Sequence, residues 1–165
     1  MRLRILGLLS VLLAQCGYPQ SSIENTLKRL NKGSVPYVQP TDLHQDSTAV
    51  LLDTRKKEEF NVSALPGAHW VGYSSFELQE VKDKWPDRDT PIVVYCSVGV
   101  RSEDIGEKLQ KAGYTNVRNL YGGLFQWTNE ELPLVNPANQ ETTRKVHAYN
   151  KRWGQLLTKG EKVYE

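Results

Sequence analysis

The chain has 165 residues, of which 39% are hydrophobic and 24% are charged, and its formal net charge is +2. These values are typical of a globular protein with a single core, and without a long basic stripe or a nucleic-acid-binding motif we expect no nucleic acid partner. Residues 136–165 carry six Lys or Arg against three Asp or Glu. We therefore expect a solvated tail there, or a segment that touches an acidic partner or a membrane.

Residues 1–16 have the pattern of a secretory signal peptide. Arg2 and Arg4 precede the apolar run 5–14, which is too short for a comfortable membrane span. The run leads to Cys16 in a context that resembles the lipobox of bacterial lipoproteins, although Gln15 departs from the Gly, Ala or Ser usual there. We predict export to the bacterial cell envelope or periplasm, with a membrane anchor through lipid on Cys16. A helix packed on the domain is the alternative interpretation.

Apolar periodicity predicts helices that alternate with short strands. Helices are expected at 22–31 (with Ile23, Leu27 and Leu30 on one face), 40–44, 56–61, 74–85, 101–112 and 124–129. Extended segments or strands are expected at 35–38, 49–52, 69–71, 92–95 and 117–120. This alternation predicts an α/β fold in which a parallel sheet is flanked by helices on both faces.

Two further boundaries come from local signals. Ser74 and Glu77 have the spacing of a capping box, which places the start of the fourth helix at Ser74. Asn and Pro accumulate from Pro133 onward, which indicates a domain boundary. The predicted organisation is a signal at 1–16, a helix and linker at 17–34, a domain at 35–132 and a C-terminal extension at 133–165.

Cys96 is the most informative residue of the chain. It ends the apolar run 92–95, and Arg101 begins a segment with helical spacing at Ile105 and Leu109. Unpaired N–H groups converge at a helix start and form an anion site, where the pKa of a thiol falls. Asp53 directly follows the other apolar strand and is expected at the same sheet edge. A reactive thiolate is therefore predicted, and a small buried hydrophobe is the alternative.

The chain contains two cysteines. If Cys16 is removed or acylated, Cys96 is the only thiol of the mature protein, and no internal disulfide can form. A dithiol oxidoreductase is excluded because the sequence has no Cys-x-x-Cys. No cluster of metal ligands stands out, and no cofactor is expected.

Four motifs in order resemble the single-domain rhodanese (thiosulfate sulfurtransferase) family over about residues 35–132. They are Asp53-x-Arg55-x-x-x-Glu59-Phe60, Pro66-Gly67-Ala68, Cys96-x-x-Gly99-x-Arg101-Ser102 and Leu120-x-Gly122-Gly123-x-x-x-Trp127. The segment 61–65 departs from the family pattern, and the resemblance does not extend to 136–165.

The resemblance implies that Cys96 takes a sulfane sulfur from a donor such as thiosulfate and holds it as a persulfide. Cyanide, a thiol or a protein acceptor then removes the sulfur. The resemblance also implies an active-site loop whose N–H groups hold the anion, made of Ser97, Val98, Gly99, Val100, Arg101 and Ser102. Asp53 and Arg55 are expected to brace this loop. Arg101 either holds the anionic donor, locks the loop, or pairs structurally with Asp53 or an acidic neighbour.

Two other classes share these features. Phosphatases of the same fold use a Cys-x5-Arg loop, whereas only four residues separate Cys96 from Arg101 here, so a tetrahedral oxyanion fits less well. A sulfur-relay or protein-docking module with little turnover on thiosulfate is the main alternative to an enzyme.

Overall fold

A five-stranded parallel sheet organises the chain in the computed structural model, which describes residues 22–46 and 48–164. The strands of this sheet are β1 (Tyr37–Val38), β2 (Val50–Asp53), β3 (His69–Trp70), β4 (Ile92–Tyr95) and β5 (Val117–Leu120). Their spatial order is β1-β5-β4-β2-β3, and every neighbouring pair is parallel. The helices are α1 (Ile23–Leu30), α2 (Pro40–Gln45), α3 (Lys57–Val62), α4 (Leu78–Lys84), α5 (Arg101–Lys111) and α6 (Gly123–Asn129).

The central strand β4 shows why both faces of the sheet are covered. Successive side chains of a strand point to opposite faces. Val93 and Tyr95 belong to the core cluster that contains residues of α1, α2 and α6, whereas Ile92 and Val94 belong to the cluster of α4 and α5. All four residues are buried, as is typical of a parallel strand between two helical layers. The predicted α/β class with helices on both faces is confirmed.

The first helix begins as predicted, but one of its apolar positions differs. Ser22 is the N-cap of α1, and its hydroxyl accepts a hydrogen bond from the N–H of Asn25 at 3.1 Å. Ile23 and Leu27 are buried, whereas Leu30 is 44% exposed. The three residues share one face of α1, as predicted, but the burial of that face does not extend to Leu30 in the last turn.

Helix α4 begins later than the capping-box spacing indicates. Its first residue is Leu78, and its N-cap Glu77 makes no side-chain capping bond. The preceding segment turns at Gly72, where φ is +68°, and the hydroxyl of Tyr73 then donates to Asp104 of α5 at 2.7 Å. Ser74 lies in a turn in which the N–H of Phe76 donates to the carbonyl of Tyr73 at 3.4 Å, so the predicted start at Ser74 is wrong.

The C-terminal extension folds against the rest of the chain, and the prediction of a solvated tail is wrong. It contains an antiparallel pair, β6 (Leu134–Val135) with β7 (Thr142–Thr143), a parallel pair, β8 (Lys145–His147) with β9 (Glu161–Val163), and a 3-10 helix at Trp153–Leu156. Val146, Ala148 and Leu157 are fully buried in the core cluster that includes α6. The apolar residues of the extension are few and are interspersed with charged ones, so its composition does not predict that they are buried.

Asn129, the last residue of α6, holds the extension in place. Its amide donates to the carbonyl of Leu156 at 2.9 Å, and its side-chain oxygen accepts from the N–H of Thr158 at 2.7 Å. The extension thus shares one hydrophobic core with the predicted domain.

Residues 1–16, with Cys16, lie outside the described residues, so the signal peptide and the lipid anchor stay predictions. Within 22–46 and 48–164, no helix has the length and apolar character that a membrane crossing requires.

Candidate active site

Cys96 lies where the sequence predicts, at the carboxyl end of β4 and five residues before the start of α5. Its side chain is buried, and the N–H of Gly99 donates to Sγ at 3.1 Å. The loop from Cys96 to Val100 therefore curls around the sulfur, with the first turn of α5 beside it. A backbone N–H that points at the sulfur in this way favours its anionic form.

The amino end of α6 holds the loop through backbone hydrogen bonds. The N–H of Leu124 donates to the carbonyl of Cys96, and that of Phe125 to the carbonyl of Ser97, both at 2.9 Å. Gly123 makes this approach possible, because a Cβ at its position would lie 2.3 Å from the Cys96 carbonyl oxygen. Gly123 is thus required for the close packing of α6 against the loop.

Two asparagines fix the peptide after Gly99. The carbonyl of Gly99 accepts hydrogen bonds from the amides of Asn31 and Asn119, each at 2.8 Å. The side-chain oxygen of Asn119 accepts from the hydroxyl of Ser102 at 2.8 Å. Sequence reasoning missed both asparagines, although a polar Asn119 in a strand of a sheet that helices cover on both faces signals a buried polar contact.

Arg101 pairs with Glu59, which settles the partner that the sequence leaves open. The two Nη atoms of Arg101 donate to the two carboxylate oxygens of Glu59 at 2.8 and 2.9 Å. The hydroxyl of Ser97 also donates to Glu59 at 2.9 Å and accepts from Arg101 at 3.0 Å. This bidentate pair, which is strong by its geometry, ties α3 to the loop and to α5.

The electrostatics of this pair follow from its burial and partners. Burial by itself raises the pKa of Glu59, but the hydrogen bonds and charge of Arg101, together with the charge of Arg55, lower that pKa to about 2. Burial acts against the charged form of Arg101, yet the Glu59 carboxylate and the nearby Cys96 sulfur raise its pKa above the ordinary value. Both groups are therefore charged at neutral pH.

Asp53 and Arg55 form a second pair that does not reach the loop directly. Arg55 donates to Asp53 at 2.6 to 3.1 Å and to the carbonyl of Ser63 at 2.6 Å, and both side chains are fully buried. In the described part of the chain, no hydrogen bond of these two side chains ends on residues 96–102. The expectation that Asp53 and Arg55 brace the loop is therefore wrong. Glu59 contacts the loop instead, through Ser97 and Arg101, and the charge of Arg55 helps to lower the pKa of Glu59.

The thiol of Cys96 is activated despite its burial. Desolvation raises the pKa of a buried thiol, but the positive charge of Arg101 and the backbone N–H groups of Ser102 and Val98 outweigh it, so the pKa of Cys96 lies below its ordinary value. A lowered pKa increases the population of the nucleophilic thiolate at neutral pH.

A cavity of about 190 Å³ opens onto Cys96. Its other lining residues are Leu30, Ser97, Val98, Val100, Arg101, Tyr149 and Trp153. Tyr149 and Trp153 belong to the C-terminal extension, and sequence reasoning missed both, because no local signal connects them with a loop some 50 residues away in sequence. Among the described residues, no group of three or more His, Cys, Asp or Glu could hold a metal ion.

Comparison with known proteins agrees with this geometry. The family model of the Rhodanese-like domain matches residues 40–130. The thiosulfate sulfurtransferase GlpE of Actinobacillus succinogenes is 37% identical over 94 residues, which cover 56% of this chain and 81% of that protein.

Two solved structures share the fold. A rhodanese-related protein from Thermoplasma volcanium superposes with a TM-score of 0.52 at 26% identity, covering 61% of this chain and 97% of that one. A thiosulfate sulfurtransferase from Pseudomonas aeruginosa gives a TM-score of 0.56 at 25% identity, covering 74% of this chain but only 23% of the other. With its parallel sheet, its cysteine loop and a family match over more than half its length, the chain belongs to the rhodanese-like domain family.

Proposed function

We propose that the protein is a sulfurtransferase that moves a sulfane sulfur from a donor such as thiosulfate to a thiophilic acceptor through a persulfide on Cys96. The observation that carries the proposal is the buried Sγ of Cys96, which accepts the N–H of Gly99 and has its pKa lowered by Arg101 and the loop N–H groups. The similarity to thiosulfate sulfurtransferases of the GlpE type supports the same class of reaction.

The first half-reaction transfers the sulfur. The Cys96 thiolate attacks the outer sulfur of thiosulfate, a bond forms between Sγ and that sulfur, and the S–S bond of the donor breaks. Sulfite leaves as a dianion with the bonding electron pair, and so takes up the charge that the thiolate brought, while the outer sulfur keeps its own negative charge as the persulfide anion. The N–H groups of the loop stabilise this anion, and no other nucleophile or base is needed.

The second half-reaction restores the thiol. A nucleophile such as cyanide attacks the outer sulfur of the persulfide, thiocyanate forms, and the electron pair of the S–S bond returns to Sγ. Donor and acceptor therefore react in turn, which predicts ping-pong kinetics.

The same loop disfavours phosphoryl transfer. A phosphoryl group carries three outer oxygens that need donors at once, while both Nη atoms of Arg101 are engaged by Glu59. With four residues between Cys96 and Arg101, the loop closes around a smaller anion.

Intact-mass analysis after exposure to thiosulfate tests the proposal. The native protein should gain the mass of one sulfur atom, and Cys96→Ala should gain none. Turnover with cyanide separates the two classes that share this chemistry. Brisk thiocyanate formation supports an enzyme, whereas persulfide formation with negligible turnover indicates a relay to a protein acceptor. If no sulfane donor loads Cys96, a docking domain replaces the proposed function.

We also propose, from the pattern of residues 1–16 alone, that the protein is exported and lipidated on Cys16. Fractionation of the native host and mass analysis of the mature amino terminus test this. A cytosolic protein that retains Met1 contradicts export, and an exported protein cleaved elsewhere without lipid contradicts only the anchor.

A further inference from the structure

We infer that Tyr149 and Trp153 of the C-terminal extension select the sulfur donor, and that the preferred donor carries its sulfane sulfur on a small apolar organic group. This inference rests on the proposed function and names the substrate class of the same site.

The cavity above Cys96 has apolar walls and the size of a small ring. Leu30, Val98, Val100, Tyr149 and Trp153 line it together with Ser97 and Arg101. Its volume of about 190 Å³ exceeds the roughly 150 Å³ of an apolar cavity that holds benzene. An inorganic anion would occupy only part of this space and would leave the apolar walls without a partner.

The charge of the cavity is unsuited to a dianion. Arg101 is the charged residue among the described lining residues, and its two Nη atoms already bind the carboxylate of Glu59. The Nζ atom of Lys56 lies 5.8 Å from the ring centroid of Tyr149, but Lys56 lines a neighbouring cleft, which Tyr149 and Arg101 also line, and not the cavity at Cys96. Thiosulfate would therefore bring two charges beside an arginine that already has the Glu59 carboxylate as its counter-ion, which is costly in a largely apolar site.

The aromatic part of the wall is held in place by local contacts. Trp153 opens the 3-10 helix, and its N–H donates to the side chain of Asn150 at 3.0 Å. Tyr149 has φ of +64°, and the Arg101 guanidinium lies 5.4 Å from its ring centroid. Both residues follow the segment 40–130 that matches the family, so the extension adds an aromatic part to a wall that Val98 and Val100 of the matched domain also form.

An aryl thiosulfonate has an apolar ring and a single negative charge, which suit the walls and the charge of this cavity, and it serves as the probe. The Cys96 thiolate attacks the outer sulfur of benzenethiosulfonate, the S–S bond of the donor breaks, and benzenesulfinate leaves with the electron pair. One negative charge enters with the donor and one leaves with the sulfinate. The phenyl ring of this donor contacts the apolar walls, whereas thiosulfate would place a charged oxygen against them.

The test compares kcat/KM for benzenethiosulfonate, methanethiosulfonate and thiosulfate with cyanide as the common acceptor. In a ping-pong reaction this constant reports the donor half-reaction alone. We expect the phenyl donor to be favoured, and we expect its preference over thiosulfate to fall about tenfold or more in Trp153→Ala and in Tyr149→Asn. Asn suits position 149 because it adopts positive φ more readily than most residues.

Two further variants keep the test independent of folding in the extension. Leu30→Ser removes an exposed wall residue from α1, and it should lower the same preference. Tyr164→Ala is the matched control, since Tyr164 lies in the extension with 42% exposure, against 43% for Tyr149, but does not line the cavity. Because each variant is compared with the native protein, the intrinsic reactivity of the donors cancels.

The outcomes distinguish failure of this inference from failure of the proposed function. If Cys96 is loaded but the donor preference is unchanged in all three wall variants, the inference fails and the proposed function stands. Equal preference for the phenyl and methyl donors in the native protein also overturns it, because charge alone would then decide. If no donor of any kind loads Cys96, the proposed function itself fails.

Discussion

The molecule contains two buried arginine–carboxylate pairs that have the same chemistry and different positions. Asp53 and Arg55 are completely enclosed between the end of β2 and the loop at Ser63. Glu59 is equally buried, but its partner Arg101 keeps 23% of its side-chain surface exposed and lines the cavity at Cys96. The first pair holds α3 to the sheet, and the second places a positive charge beside a sulfur atom.

This difference shows that burial alone does not identify a functional ion pair. The importance of a fully enclosed pair for stability is seen mainly when one partner is removed, because the other charge is then buried without a counter-ion. A pair at the wall of a cavity also changes the pKa of whatever lies in the cavity. The two pairs are therefore expected to respond differently to loss of a carboxylate.

The largest effect on stability is expected for Asp53→Asn. The variant leaves the charge of Arg55 buried without its counter-ion, and loss of one partner of such a pair costs about 3–5 kcal/mol. Urea denaturation at neutral pH measures the change. Asp46→Asn is the matched control, because Asp46 pairs with Arg118 at 3.0 Å with 28% and 30% of the side chains exposed, and such pairs contribute about 1 kcal/mol or less. Equal losses in both variants would contradict the distinction.

A smaller and pH-dependent loss is expected for Glu59→Gln. The pKa of Glu59 falls from 4.5 to about 2 on folding, which corresponds to about 3 kcal/mol of stability. Because the pKa is depressed in the folded state, this contribution is fully present above pH 4.5 and is lost as the pH falls through about 2.

Denaturation of both proteins between pH 7 and pH 2 measures this contribution. The difference in unfolding free energy between native protein and Glu59→Gln should shrink over that range, since the other carboxyl groups titrate in both. Glu58→Gln, at the exposed neighbouring position, is the control and should show little difference. A native-minus-Gln difference that is independent of pH would rule out the depressed pKa.

Opposite changes at the second pair are expected to shift the pKa of Cys96 in opposite directions, and here the readout is that pKa and not the stability. Arg101→Gln removes the main group that lowers the pKa of Cys96, so burial dominates and the pKa rises. Glu59→Gln removes the charge that offsets Arg101, so the pKa of Cys96 falls further. The rate of alkylation against pH should show a native midpoint below about 8.5, the value of a free thiol. Shifts in the same direction in both variants would contradict the assigned roles.

Much of the site could be predicted because its signals are local. The apolar run 92–95, the cysteine that ends it and the helical spacing after Arg101 lie within a short stretch of sequence, and hydrophobic periodicity determines which residues form the strand and the helix. The alternation of strands and helices likewise specified a parallel sheet, whose geometry brings Asp53 and Cys96 to one edge.

The partners of the loop were decided only by tertiary structure. Glu59 meets Arg101 across 42 positions, Asn119 meets Gly99 across 20, and Asn31 meets Gly99 across 68. The sequence contained Glu59 within a motif and offered several acidic candidates for Arg101, but only the placement of α3 beside the loop and the start of α5 chooses among them. Tyr149 and Trp153 reached the cavity because a few apolar residues fold the extension onto the core. Periodicity determines what each segment becomes, whereas long-range packing determines what each side chain touches.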